Sequence, residues 1–463
     1  GVVRERTHTH THLTMSSAQQ AVWDRVLEDL ENHVVGKEKD GDFIHVLHSL
    51  DRVVDALKSG GADLVPVWRR MWPLLLHLYA HPHWIFSQYI SIALMHVFQS
   101  HPADFVREIL ETQLQECEVG SLKNALLRNC SNAKREVRDA TGQCLGSLAR
   151  CLGSPFVEEI VPILLERARK HRGRDDDDLL EGHAIALGYL MAGCADPAPA
   201  LFGDTLELLA EMSQHAANPS LSYYVRQYTV RALVRIVESS KPQDLWKVAE
   251  TDMLQLMLQR LGDDNIDVRK HTARLTRSWY LQSFQQEAVE AVCLRFLDTI
   301  DQKETSWQLH HGINLSLSLF AQESLLVPRM VPILERILKS MSQEVPRDFG
   351  KGGAGGNVAA VQACTQCFVG YCLWLDQQSG GDPVQQLAEA LQSSSLDGHS
   401  SVSSERLLKK YVLPTLSAAL TSTEALLQDV AGTCCLILQK QALKHIQGHV
   451  SGLLVQLHKN LFH

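Results

Sequence analysis

The residues in this chain that come closest to a metal-binding set are His77, His81 and His83. His77 and His81 stand four residues apart, a spacing that places two imidazoles on one helix face. A zinc-peptidase helix also carries glutamate directly after its first histidine. Here Leu78 holds that place, and Pro82 ends the helix before His83 is reached. The three therefore read as polar histidines around a turn. Cys364 and Cys367 form one Cys-x-x-Cys, with Cys372 five residues on. A structural zinc site needs a second ligand pair, and none lies at suitable spacing, so these thiols read as helix-core residues, as do Cys434 and Cys435. Of His310 and His311, one is expected at a helix-pair interface and the other in solvent.

The run Gly350-Lys351-Gly352-Gly353-Ala354-Gly355-Gly356 leads into an apolar segment, as a phosphate-cradling loop does. Such a loop ends in Gly-Lys-Ser or Gly-Lys-Thr and follows a strand. Lys351 is instead followed by Gly352, and the preceding segment has helical periodicity, so the run reads as a flexible insertion. No catalytic residue, metal site or cofactor is assigned.

Two sets of charged residues are candidates for partner binding. Arg167, Arg169, Lys170, Arg172 and Arg174 run directly into Asp175 to Asp178. Cations ending one helix and acids opening the next suit the dipoles of an antiparallel pair, while the alternative is an exposed turn that docks an acidic protein or RNA phosphates. In the second set, Arg138, Arg226 and Arg269 each follow a valine near the start of an apolar run, 88 and 43 residues apart. At equivalent places in successive repeats they can bond acidic turn residues of the next repeat and form a ladder.

That spacing is one or two lengths of a helix-pair repeat of roughly 44 residues. Three- and four-residue apolar steps predict helices over Ser16 to His33 and Asp42 to Lys58. Pairs follow, beginning with Leu64 to Tyr79 against Trp84 to Phe98, Ser121 to Arg128 against Val137 to Leu152, and Phe156 to Lys170 against Leu179 to Met191. Leu201 to Gln214 pairs with Tyr224 to Val237, Leu245 to Leu261 with Val268 to Tyr280, and Glu287 to Thr299 with Trp307 to Phe320. Val327 to Met341 pairs with Val358 to Trp374 and Leu407 to Leu420 with Glu424 to Gln439, before a last helix from Leu443 to Leu461. The expected fold is all-α: a right-handed α-solenoid of about nine or ten antiparallel helix pairs over residues 16–463. Residues 1–15 read as a disordered leader, and 346–357 and 377–404 as flexible insertions.

Composition fits this picture. The chain has 463 residues, too many for one ordinary compact domain, with 45% hydrophobic and 21% charged residues. A net charge of -9 argues against general nucleic-acid binding, which depends on dense cations facing phosphates. Eleven cysteines scattered through apolar runs lack the spacing of a secreted disulfide scaffold and suggest a reducing compartment, cytoplasmic or nuclear. No uninterrupted apolar run reaches the length of a bilayer span, the richest being Tyr89 to Phe98, so no membrane is expected as a partner.

The turn Leu261-Gly262-Asp263-Asp264-Asn265-Ile266-Asp267-Val268-Arg269 resembles the HEAT repeat family, and the resemblance covers the chain from about Leu64 onward. It implies a scaffold architecture shared by transport receptors, assembly factors and kinase adaptors. Trp307-Gln308-Leu309-His310-His311-Gly312-Ile313-Asn314-Leu315-Ser316-Leu317-Ser318, with that turn before it and Val358 to Tyr371 after it, resembles the C-terminal HEAT array of the large translational activator of general amino-acid control. This narrower resemblance implies a partner in the ribosome and in the kinase that phosphorylates the alpha subunit of translation initiation factor 2. The His311-Gly312 step matches best. His310 stands where that family leads one to expect arginine, and the glycine insertion has no counterpart in it. The expected function is a non-enzymatic scaffold or adaptor in ribosome-linked translational stress control; the alternative is a nuclear transport receptor or a proteasome-associated adaptor.

Overall fold

The computed structural model describes residues 17–35, 43–58, 65–79, 83–101, 103–108, 110, 116–172, 176–215, 222–245, 250–302, 305–346, 354–379 and 404–442. All regular structure among them is helical. The chain divides into two compact units, Gly1–Ser239 and Ser240–His463.

In the first unit, α1 (Ser17–Val35), α3 (Val65–Tyr79), α6 (Glu116–Asn129), α8 (Ser154–His171) and α10 (Pro199–Met212) are the first helices of successive pairs. Their partners are α2 (Phe43–Lys58), α4 (Trp84–Ser100), α7 (Arg135–Leu152), α9 (Asp177–Gly193) and α11 (Ser222–Ser239). These second helices pack in unbroken order, α2 on α4, α4 on α7, α7 on α9 and α9 on α11. A helix held between two neighbours needs apolar or small residues on most sides, and α9 is buried at every residue from Leu180 to Gly188. A short helix, α5 (Ala103–Glu108), packs on α7 and falls in a stretch where the sequence predicts none.

The second unit repeats the plan after a single turn, α12 (Pro242–Leu245). Its first helices are α13 (Glu250–Leu261), α15 (Val289–Ile300), and the interrupted α17 (Val327–Met330) and α18 (Leu334–Glu344). Their partners α14 (Ile266–Gln282), α16 (Trp307–Ala321) and α19 (Ala354–Ser379) form a continuous row. The last pair joins α20 (Ser404–Leu407), a π turn at Leu408–Val412 and α21 (Leu413–Leu420) to α22 (Ala425–Gln441), which packs on α19. Pro414, just past the π turn, has no amide to donate and crowds the carbonyl four residues back, the usual reason for widening a helix there. Nine helix pairs lie among the described residues, as the 44-residue ruler predicts.

Local chemistry sets the starts. The Asn265 side chain accepts from the Asp267 and Val268 amides to open α14, and Ser306 accepts from the Leu309 amide to open α16. Ala354 to Asn357, which the sequence reading leaves in the glycine-rich insertion, form the first turn of α19. Residues 347–353 and 380–403, the leader and the expected helix from Leu443 lie outside the described residues, while Gln377 to Ser379 end α19 and Ser404 opens α20, where the sequence reading places a flexible insertion.

Helix α19 is the one helix among the described residues that is both long and strongly apolar. Gly356–Gln378 is long and apolar enough by composition to cross a membrane, although Gln362, Thr365 and Gln366 interrupt the run. With 67% of it buried against neighbouring helices, it serves as the core helix of its unit.

Candidate partner-binding surface

The charge run at the α8–α9 junction is divided between solvent and the fold. Arg167, Arg169 and Lys170 are exposed on the last turns of α8, and Arg167 donates to the Leu127 carbonyl at 3.4 Å. Arg172 pairs with Glu211 on α10, and Arg174 lies outside the described residues. The three described aspartates each find a partner on a different side. Asp176 bonds His171 at 2.5 Å, Asp177 bonds His215 beyond the end of α10 at 2.6 Å, and Asp178 pairs with Arg138 on α7 at 2.9 Å.

The recurring arginines occupy equivalent places. Arg138 Nη1 donates to the Asn132 carbonyl at 2.6 Å, Arg226 Nη1 to the His215 carbonyl at 3.2 Å, and Arg269 Nη1 to the Asp263 carbonyl at 2.6 Å. Asn132 and Asp263 lie in the turn that opens the arginine's own helix and His215 lies just past the end of the helix before it, where a helix leaves oxygens without partners. Arg138 and Arg269 also reach the next repeat. Arg138 pairs with Glu181 on α9 at 2.9 Å, and Arg269 Nε donates to His311 Nδ1 on α16 at 3.0 Å. Arg138 and Arg269 are only 1% and 2% exposed, which leaves them no surface to offer a partner.

The glycine after each of these acceptors completes the device. A Cβ on Gly182 would collide with the Cys130 carbonyl, and one on Gly312 with the Leu261 carbonyl. Both oxygens lie at the end of the preceding pair's first helix, so the bare glycine lets the second helix touch backbone.

The histidines divide between surface and interior, and the cysteines of α19 are buried. His77 is exposed, His83 caps α4 by accepting from the Ile85 amide at 3.4 Å, and His81 lies outside the described residues. His310 and His311 are both buried, which corrects the expectation that one faces solvent. Helix α16 is covered on several sides, so two positions about 100° apart both meet protein. His310 bonds Glu344 at 2.8 Å on α18, while burial and the nearby Arg269 and Lys270 hold His311 down to about 4. Cys364 and Cys367 are buried on α19, and burial pushes the Cys364 thiol up to about 12. Among the described residues no three His, Cys, Asp or Glu side chains converge as metal ligands would.

The second unit carries a groove of about 500 Å³ across α14, α16, α19 and α22. Lys270, Arg274 and Arg277 line it from α14, with Gln322, Gln362 and Gln366 beside them from α16 and α19. Leu315, Leu319, Val430 and Ile437 supply its apolar surface, and no carboxylate is among its lining residues. Arg277 pairs with Glu323, which stands outside the lining.

No family model matches this chain, and no curated protein matches it. Among solved structures, Kap95 in its complex with Nup1 is similar with a TM-score of 0.54 and 12% identity, over 95% of this chain and 54% of that one. Kap121p gives a TM-score of 0.53 and 11% identity, over 94% of this chain and 40% of that one. The fold is a HEAT-like α-solenoid. This chain spans between 40% and 54% of the length of those two structures.

The solenoid explains what sequence reasoning missed. The cations of α14 fall at i, i+4 and i+7, as do the groove residues Leu315, Leu319 and Gln322 of α16, so each helix turns one stripe to the same side. A search for catalytic motifs passes over such stripes, because they mix Lys, Arg, Gln and Leu and contain no reactive set. The signal that could have found them is the phase of each second helix, read together across four repeats.

Proposed function

We propose that this chain is a protein-binding scaffold without chemistry of its own, which holds partners along the stripes of its second helices. The observation that carries this reading is where the reactive side chains go. Arg138, Arg269, Asp177, His310 and His311 bond one another's helices or turn carbonyls inside the fold, while a groove rich in amide, cationic and aliphatic side chains is left on the surface. Protein surfaces of that composition suit a polypeptide partner better than a small substrate, which needs convergent groups in an enclosed pocket.

The specific version we favour is an adaptor in translational stress control, cytoplasmic in location, on the resemblance carried by Trp307 to Ser318. A nuclear transport receptor is the second reading, favoured by the likeness to Kap95 and Kap121p; the Kap95 structures include one with Nup1 and one concerned with RanGDP. The cationic groove weighs against it, since a receptor for basic cargo would carry acids on that face. Affinity purification of the full chain with identification of bound proteins separates the two. Co-sedimentation with ribosomes and recovery of the kinase supports the adaptor; binding to a small GTPase with no ribosomal protein recovered supports the receptor.

A further inference from the structure

We infer that the groove across α14, α16, α19 and α22 is a docking channel for an extended acidic peptide segment of a partner protein, about eight residues long. The inference rests on the scaffold reading and names the chemistry of the partner.

Charge selects the class of ligand. Lys270, Arg274 and Arg277 stand on one edge, and no lining carboxylate opposes them, in a chain whose overall charge is -9. Arg277 is paired with Glu323 at the edge, and a lining that carries three cations and no carboxylate favours acidic segments over basic ones. Lys270 is 56% exposed at its side chain, and its nearest acid, Asp267, lies 3.9 Å away. Such a cation gives up little when a carboxylate from a partner approaches.

The remaining lining selects polypeptide over nucleic acid. A channel for single-stranded nucleic acid uses aromatic rings as stacking platforms, and no aromatic residue lines this one. Leu315, Leu319, Val430 and Ile437 suit aliphatic side chains instead. Gln322, Gln362 and Gln366 each carry an amide that both donates and accepts, which matches the alternating N–H and C=O of an extended backbone.

Geometry sets the length. Packed helices lie about 8–10 Å apart, so four in a row span roughly 24–30 Å. At about 3.3 Å per extended residue that distance takes about eight residues. The acidic end of the peptide lies over α14 and an aliphatic side chain over α16 and α22.

A random nine-residue peptide display selection on the full chain tests this. The expected result is enrichment of sequences with two or more Asp or Glu at one end and Leu, Ile or Val toward the other. Synthetic versions should then bind in fluorescence anisotropy, at least tenfold more weakly to K270E/R274E and without measurable binding once their acids are changed to lysine. Both substituted side chains are on the surface, and unchanged circular dichroism shows that the variant folds. Q362A/Q366A should weaken the same peptides about threefold or more. Selection of basic peptides, no enrichment, equal binding to K270E/R274E, or preference for oligouridylate over the selected peptides would each overturn the channel. If the purified partners of the full chain survive K270E/R274E unchanged, the channel fails and the scaffold reading stands. If the full chain recovers no partner and selects no peptide, both fail.

Discussion

Arg269 donates from Nε to the Nδ1 of His311 at 3.0 Å, joining α14 to the following second helix, α16. The next residue, Gly312, sits against the Leu261 carbonyl with no room for a side chain. The His311-Gly312 step is thus a packing device of the repeat, and Glu181-Gly182 performs the same task beneath Arg138. A short motif shared with another solenoid protein can arise from this constraint alone, so it speaks to architecture before it speaks to partners.

Replacing Arg269 by alanine removes donors from the Asp263 and Asp264 carbonyls and from His311 together. Buried acceptors stripped of their donor cost about 1–3 kcal/mol each in unfavourable cases, so a loss of about 3 kcal/mol is expected. Lysine should recover less than half, because its three donors radiate from one nitrogen, whereas Arg269 reaches His311 from Nε and the two carbonyls from Nη1. Urea midpoints and hydrogen exchange over residues 262–275 measure both effects; an Ala variant as stable as the parent contradicts the assignment.

Gly312→Ala and Gly182→Ala should each destabilise by about 2–4 kcal/mol, since the methyl group meets a backbone oxygen that can move only with its helix. Gly203 on α10 and Gly432 on α22 have nothing within 4 Å of a built Cβ, and alanine there should stabilise by up to about 1 kcal/mol. Opposite signs in thermal melts of the two groups are the expected outcome. If all four variants shift alike, close backbone approach is not what selects these glycines.

Glu181 is 2% exposed and pairs with both Arg135 and Arg138. Glu181→Gln weakens two charge-assisted bonds while Arg138 stays buried, for an expected loss of about 3 kcal/mol. The double variant Arg138→Met with Glu181→Leu should lie closer to the parent than either change made singly, because no buried charge is left alone. A double-mutant cycle reads the coupling, and strict additivity would argue against the buried pair.

Burial holds His311 down to about 4, with Arg269 and Lys270 adding to it. His183 is likewise held down to about 4 by burial, although its bond to the Leu179 carbonyl opposes the shift. An unfolded chain protonates such rings near the ordinary value of 6.5, so between 6.5 and 4 it binds more protons than the folded chain. Stability should be full above pH 6.5 and fall as the pH drops toward 4, by up to about 3 kcal/mol for each ring. H311Q, whose amide oxygen can still accept from Arg269, should flatten that fall. Parallel curves of urea midpoint against pH for the two proteins would rule His311 out as a contributor.

Much of the architecture was legible in the residues. Apolar steps of three and four located the helices because a repeat held between neighbours must be apolar over a wide arc, and the 44-residue ruler counted the pairs. Partner choice was less legible. Arg138 and Arg269 look alike in sequence whether they serve a turn carbonyl or a docking partner, and only the fold shows them enclosed. His310 and His311 were misread because helical phase predicts which side a residue faces, while the number of sides covered depends on neighbours far away in sequence. The groove escaped for a related reason: its fourteen lining residues come from four helices spread over 168 residues, from Lys270 to Ile437.

Asp176, Asp177 and Asp178, at the cap and first turn of α9, each hold a different neighbour: Asp176 holds His171 on α8, Asp177 holds His215 beyond the end of α10, and Asp178 holds Arg138 on α7. Adding or deleting one residue inside the first turn of α9, between Asp178 and Glu181, would turn the three aspartates by about 100° relative to the rest of the helix and move all three carboxylates off their partners together. This junction is therefore frame-locked. Insertions and deletions should be excluded from residues 176–181, whatever substitutions the positions themselves accept.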